Sequence, residues 1–127
     1  MRSRAPARLA VILVAAALAG GTAVVWASTE RPAPVSYARD VQPIFDRSCT
    51  SCHPVAYPYL DLRPGRSYDQ LVRVPAATDP TFARVLPGRP ELSYLLTHPP
   101  DPSNARLLTA HDRAVIERWI RAGARDD

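Results

Sequence analysis

The pentapeptide Cys49-Thr50-Ser51-Cys52-His53 constrains this chain more than any other feature. It reads C-x-x-C-H, the attachment signature of a c-type haem. Two thiols three positions apart lie on one helical turn, where each can form a thioether with a haem vinyl group, and His53 follows as the proximal iron ligand. Cys49 and Cys52 are the only cysteines in the sequence. We therefore expect the chain to fold around one covalently bound haem c.

Two other interpretations of this motif remain open. A C-x-x-C pair can be a redox-active dithiol, but such a pair opens a helix after a strand in a βαβ unit, and no β-branched run precedes Cys49. A structural zinc site needs about four ligands. Beyond the two cysteines, the candidates for such a site are His53, His98 and His111. Haem attachment explains the motif better than either.

The first 27 residues have the pattern of an export signal. Arg2, Arg4 and Arg8 form a positive region, and residues 9–27 carry no charge. Residues 25–27 (VWA) suit a signal-peptide cleavage site, but the nineteen uncharged residues also approach the roughly 20 that span a bilayer. We expect a cleaved signal peptide or an uncleaved membrane anchor. Both outcomes place the domain in the periplasm or on the outward face of the cytoplasmic membrane.

Length and charge limit the domain count and the partners. The chain of 127 residues is expected to comprise the export segment (1–27), a linker (28–36) and one mono-haem domain (37–127). All sixteen basic residues are arginine, three of them in the export segment, so thirteen remain against twelve acidic residues, a balance of +1. That is not the electrostatic footprint of a nucleic-acid-binding protein.

Apolar spacing predicts a helix that leads directly into the haem motif. Ser36 is expected to cap its N-terminus, and Pro43 must either kink the helix or mark its true first turn. The residues that recur at helical spacing are Tyr37, Val41, Ile44, Phe45 and Ser48.

Three further helices are predicted downstream. Ser67 and Gln70 match a capping box that opens a short helix. Pro90 suits the first position of the next helix, which ends before Pro99 and Pro100 with His98 at its end. No strand is predicted, because the apolar alternation after the motif is too short.

The last helix has the clearest boundaries. Thr109 and Asp112 match a capping box, and Gly123 supplies the C-terminal stop. Its apolar face includes Trp119, which is expected to pack against the first helix through Val41 and Phe45, with its indole N–H bonded to a partner.

Three stretches resemble a known family. They are 40–45 (DVQPIF), 84–96 (RVLPGRPELSYLL) and 116–124 (IERWIRAGA). With the haem motif they resemble the class I cytochrome c fold and, more closely, the small mono-haem domains called planctomycete-type cytochrome c, over about residues 37–124. The resemblance implies an all-α domain around one haem, preceded by the signal or anchor helix, with its first and last helices packed together. It also implies an electron carrier between redox partner proteins rather than an enzyme.

The resemblance also bears on the second axial ligand. Many members of the family carry Met-Pro-Pro at the place where this chain has His98-Pro99-Pro100, and the only methionine here is Met1. His98 is therefore implied as the distal ligand, and an imidazole there lowers the reduction potential. His111, expected to face solvent in the first turn of the last helix, is the less favoured candidate. If neither binds, the iron is five-coordinate and the module is a candidate gas sensor or weak peroxidase.

Polar partners for the haem are also predicted. The free ring nitrogen of His53 is expected to donate to a backbone carbonyl, which fixes the orientation of the ring. Four arginines lie in loops where a guanidinium could pair with a haem propionate. They are Arg63, Arg66, Arg84 and Arg89.

Overall fold

A computed structural model describes residues 33–97 and 107–127 of the chain. The export segment (1–27), the first part of the linker (28–32) and His98 lie outside the described residues. Predictions about these three parts therefore stay predictions.

All regular secondary structure in the described part of the chain is helical. In chain order it consists of a π-helical turn at Tyr37–Val41, helix α1 at Gln42–Ser48, helix α2 at Ser67–Leu71, a 3₁₀ turn at Pro90–Leu92, helix α3 at Tyr94–Thr97 and helix α4 at Ala110–Arg121. The described residues form no β-strand, only isolated bridges that join Val72 to Val85 and Pro75 to Ala83. None of these helices is long and apolar enough to cross a membrane. The expected all-α class is confirmed for this part of the chain.

The segment before the haem motif begins as a π-helical turn and continues as α1. The Ser36 hydroxyl accepts a hydrogen bond from the Arg39 N–H at 3.3 Å, which confirms the predicted N-cap. The Gln42 N–H then donates to the Tyr37 carbonyl, five residues back. Pro43 lies in the first turn of α1, where a helix needs no N–H from it. Of the two expected roles for Pro43, it therefore marks the first turn of an α-helix.

Helix α2 forms where it was predicted, but the predicted capping box is wrong. Ser67 is the first residue inside the helix and its side chain is fully buried. Its hydroxyl accepts a hydrogen bond from the Tyr37 hydroxyl and donates one to Gln42 Oε1. Gln42 Nε2 donates in turn to the Leu62 carbonyl at 2.9 Å. The Ser67 side chain, which the local sequence assigned to a helix cap, instead bonds to Tyr37 and Gln42, which are distant in the sequence.

The predicted helix after Pro90 is broken in two at Ser93, whose backbone is extended. The Ser93 hydroxyl accepts from the Leu86 N–H and donates to the Arg89 carbonyl, both at 2.9 Å. The N–H groups of Tyr94 and Leu95 donate to backbone carbonyls at residues 83 and 84. These bonds replace the helical bonds that would have joined the two pieces.

Helix α4 confirms both of its predicted ends. Thr109 and Asp112 form the reciprocal capping box. After the helix, the Gly123 N–H donates to the Ile120 carbonyl and the Ala124 N–H to the Trp119 carbonyl. This pair of bonds is a Schellman motif. Gly123 has φ +105°, a conformation that favours glycine.

The core lies where α4 packs against the π-helical turn and α1. Trp119 is 1% exposed, its ring centroid lies 5.0 Å from that of Tyr37, and its Nε1–H donates to the Arg125 carbonyl at 2.9 Å. Val41 and Phe45 are fully buried in the same cluster. The predicted packing of the last helix on the first is confirmed, with Tyr37 and Tyr68 as aromatic neighbours of the indole.

The buried hydroxyl pair yields a first prediction. Ser67→Ala removes the acceptor of a phenol whose pKa burial raises to about 12, so the Tyr37 hydroxyl stays protonated and loses its partner. We expect a loss of about 1–3 kcal/mol in unfolding free energy, measured by denaturant titration. Tyr37→Phe is the matched variant, and the double variant should lose less than the sum of the two. Strict additivity would contradict the assigned bond.

The Schellman motif yields a second prediction. Gly123→Ala should destabilise the protein by about 1–2 kcal/mol, because a side chain disfavours this positive φ. A Cβ at this position would meet no atom within 4 Å, so the cost is backbone strain rather than a clash. Asn tolerates left-handed backbone better, so Gly123→Asn should melt between the two. Equal melting temperatures for the Ala variant and the native chain would contradict this.

Candidate cofactor site

The haem motif begins where α1 ends. Cys49 follows the last residue of the helix, and its N–H donates to the Phe45 carbonyl at 2.8 Å. The chain then turns tightly, since the N–H groups of Cys52 and His53 both donate to the Cys49 carbonyl, at 3.1 and 2.9 Å. The side chains of Cys49, Cys52 and His53 all line one cavity. The prediction that the helix runs directly into Cys49 is confirmed.

The cavity has a volume of about 220 Å³, and its walls are mainly apolar. The leucine side chains of the wall come from four separate stretches of the chain. Two tyrosine rings lie beside the imidazole of His53. The ring centroid of His53 lies 5.2 Å from that of Tyr57 and 6.1 Å from that of Tyr59. The leucines are Leu60, Leu62, Leu71, Leu95, Leu107 and Leu108.

The half-buried imidazole of His53 lies in the wall of the cavity. Its Nδ1 is buried and makes no hydrogen bond to any described residue. Burial lowers the pKa of His53, and the backbone carbonyls of Tyr57 and Leu60 oppose that effect. A buried ring nitrogen without a partner costs free energy unless something binds it or the ring shifts toward an acceptor. The imidazole therefore fits the role of a metal-bound histidine. The predicted hydrogen bond from its second ring nitrogen to a backbone carbonyl stays a prediction.

The two thiols are free, with Cys49 half-buried and Cys52 exposed. Burial raises the pKa of Cys49 to about 11, and the neighbouring Cys52 adds to the rise. Redox-active dithiols work in the opposite way, since a helix N-terminus or a cation stabilises their thiolate. Cys49 instead follows the C-terminal end of a helix, where the dipole disfavours negative charge. The dithiol interpretation is therefore poorly supported by this geometry.

The four candidate arginines differ in their surroundings. Arg63 pairs with Asp61 at 2.6 Å, and Arg89 pairs with Glu91. Arg66 is exposed and does not line the cavity, whereas Arg84 does. The structure thus separates four arginines that the sequence could not rank.

The other two histidines stand apart from the motif. His111 is exposed in the first turn of α4 and lines a separate groove with Arg47 and Arg118. His98 lies outside the described residues, but Leu95 before it and Leu107 after it both line the cavity. Within residues 33–97 and 107–127, no three His, Cys, Asp or Glu side chains form a group that could hold a bare metal ion.

Sequence reasoning missed part of the cavity wall. Ala76, Ala77 and Thr78 come from a loop without any motif, and the Thr78 and Tyr94 hydroxyls are 2.6 Å apart at the wall. No local signal in the sequence could have placed them there. The uncharged run around Tyr57 and Tyr59, directly after the haem motif, was a usable signal for the aromatic part of the wall.

The ion pair beside Leu62 yields a pH-dependent prediction. Hydrogen bonds from Arg63 hold the pKa of Asp61 at about 2, below its ordinary value of 3.8. The charged carboxylate therefore stabilises the fold above pH 3.8, and this contribution is lost as the pH falls toward 2. The native chain should be more stable than Asp61→Asn at neutral pH, and the difference should shrink across this window. Unfolding curves at several pH values measure it, with Arg63→Gln as the partner variant; a difference that persists unchanged at pH 2 would refute it.

Comparisons with known proteins leave the site to be interpreted from its own residues. No protein-family model matches the chain, and no curated protein or solved structure matches it significantly. The cytochrome c resemblance therefore rests on the three stretches and the motif quoted above. The structure adds that both cysteines and the adjacent histidine line one mainly apolar cavity.

Proposed function

We propose that this chain is an exported mono-haem c-type cytochrome that carries single electrons between protein partners. The observation that carries the proposal is the convergence of Cys49, Cys52 and His53 on one mainly apolar cavity. The C-x-x-C-H spacing gives these three side chains the chemistry of covalent haem attachment and iron ligation. No catalytic acid, base or nucleophile is needed for this role.

The residues of the chain have distinct tasks in this function. Cys49 and Cys52 would hold haem c by thioether bonds, and His53 would bind its iron. The bound group supplies a one-electron Fe(III)/Fe(II) couple. The leucine side chains would limit the access of water to the bound group, and the packing of Trp119 on Tyr37 keeps the helix before the motif in place. A dry and rigid site keeps reorganisation small, and fixed surroundings tune the potential.

We also propose that His98 is the distal ligand. Leu95 and Leu107, which flank this stretch in the sequence, both line the cavity, whereas His111 lines a different groove. With an imidazole on both faces, the reduction potential would be lower than with a methionine on one face.

The proposal includes the family and the location. The all-α described part, with its first and last helices packed together, matches what the resemblance to planctomycete-type cytochrome c implies. The arginine-flanked apolar segment supports export to the periplasm or the outward face of the cytoplasmic membrane, with residues 9–27 as a tether if they are not cleaved.

Covalent attachment is tested first. Expressed together with haem-attachment machinery, the protein should keep haem absorbance after denaturation and solvent extraction, because thioethers survive both. The Cys49→Ala/Cys52→Ala variant should lose all of it. Haem that extracts freely from the native sequence would refute the proposal.

Axial ligation is tested by the ferric spectrum. The native protein should be low-spin and six-coordinate, and His98→Ala should become high-spin. His111→Ala is the matched control and should stay low-spin, since His111 lies away from the cavity. A high-spin native spectrum would instead favour a five-coordinate module that binds small ligands, and a low-spin His98→Ala variant would remove His98 as ligand.

A further inference from the structure

Arg84 is the only Lys, Arg, Asp or Glu among the described residues that line the mainly apolar cavity. Its backbone is held on both sides, since its N–H donates to the Val74 carbonyl at 2.7 Å and its carbonyl accepts from the Leu95 N–H at 3.0 Å. The half-buried side chain lines the same cavity as Cys49 and His53. The backbone of Arg84 is therefore fixed at the wall of the cavity.

The hydrogen bonds of the Arg84 guanidinium leave its charge without a counter-charge among the described residues. Nη1 donates to the Gln70 carbonyl at 2.8 Å and Nη2 to the Tyr59 carbonyl at 3.0 Å. Both acceptors are neutral, and a guanidinium has five N–H donors, so three remain for another partner. Burial lowers the pKa of Arg84, which is the mark of a charge that has lost water.

Four other arginines in the described part of the chain form ion pairs, whereas Arg113, half-buried like Arg84, donates to the Leu96 carbonyl and does not line the cavity. Arg39, Arg47, Arg63 and Arg89 each form an ion pair with an aspartate or glutamate. Arg84 is more buried than these four, whose side chains are more than half exposed, and it forms no ion pair with a described carboxylate. A partly buried charge is expected to have a counter-charge, because burying it alone costs free energy. A ligand that enters the cavity can supply one.

We propose that Arg84 anchors a carboxylate of the ligand, a haem propionate, through the N–H groups that the two carbonyls leave free. This inference rests on the proposed function and assigns one residue of the cavity to one end of the haem. A guanidinium suits the task because its planar fork matches a carboxylate. Arg84 is thus a positioning residue for the cofactor.

The anchor also sets the reduction potential in a definite direction. A positive charge beside the haem favours the reduced iron, which carries one positive charge fewer than the oxidised iron. Removing it leaves the propionate charge uncompensated and favours the oxidised form. Arg84→Gln should therefore lower the midpoint potential, and Arg84→Lys, which keeps the charge but not the fork, should fall between the two.

The experiment compares haem-loaded native protein with Arg84→Gln, Arg84→Lys and Arg66→Gln. Arg66 is the matched control because it is an exposed loop arginine away from the cavity. Redox titration measures the midpoint potential, and resonance Raman measures the propionate bending frequency, which a purely structural role would not move. We expect both the midpoint potential and the propionate frequency to shift in the two Arg84 variants. Neither should shift in Arg66→Gln.

The possible outcomes distinguish a failure of the proposed anchor from a failure of the proposed function. Haem-loaded Arg84 variants with the native propionate frequency and potential would overturn the anchor and leave the cytochrome intact. The same holds if Arg66→Gln shifts the propionate frequency instead. A native protein without covalent haem would overturn the proposed function and the anchor together. If Arg84→Gln does not fold, the Arg84→Lys spectrum decides alone, and a native frequency in it counts against the anchor.

Discussion

The packing of Trp119 against Tyr37 joins the last helix of the chain to the turn that precedes the haem motif. Tyr37 also donates to Ser67, which donates to Gln42, so the same ring system ties α2 to α1. Arg47 of α1 pairs with Asp112, a buried member of the α4 capping box. The end of α1, and with it Cys49, is therefore held from two sides. The position of the cavity depends on this frame.

The cavity combines two physical properties. Its leucine walls are suited to an apolar body, while Arg84 offers a charge that the described residues do not neutralise. Haem has both features, since an apolar macrocycle carries two carboxylates at one edge. In the proposed function, the cysteines and His53 would hold the iron and the vinyl groups of a haem, and Arg84 would pair with a propionate. The attachment and the anchor are thus assigned to separate residues.

The helices show where local sequence suffices and where it fails. Thr109, Asp112 and Gly123 lie within one turn of the groups they cap, so their roles could be predicted from the sequence. Ser67 also matched a capping box, but its side chain is buried and bonds to residues 30 and 25 positions away. Ser93 broke a predicted helix because its neighbours donate to a distant loop. Competition from tertiary hydrogen bonds is the common reason for both errors.

The sequence by itself identified the C-x-x-C-H motif and predicted its haem chemistry, because the motif lies within one turn and needs no distant partner to be recognised. It did not rank the four candidate arginines, although the structure pairs Arg63 and Arg89 with acids only two residues away. Only the tertiary structure decided that Arg84 lies in the cavity wall and His111 in another groove. The physical reason is that the cavity is assembled from loops far apart in the chain. Their meeting depends on bonds between separate segments, such as those from the Arg84 N–H to the Val74 carbonyl and from the Leu95 N–H to the Arg84 carbonyl, which no local pattern encodes.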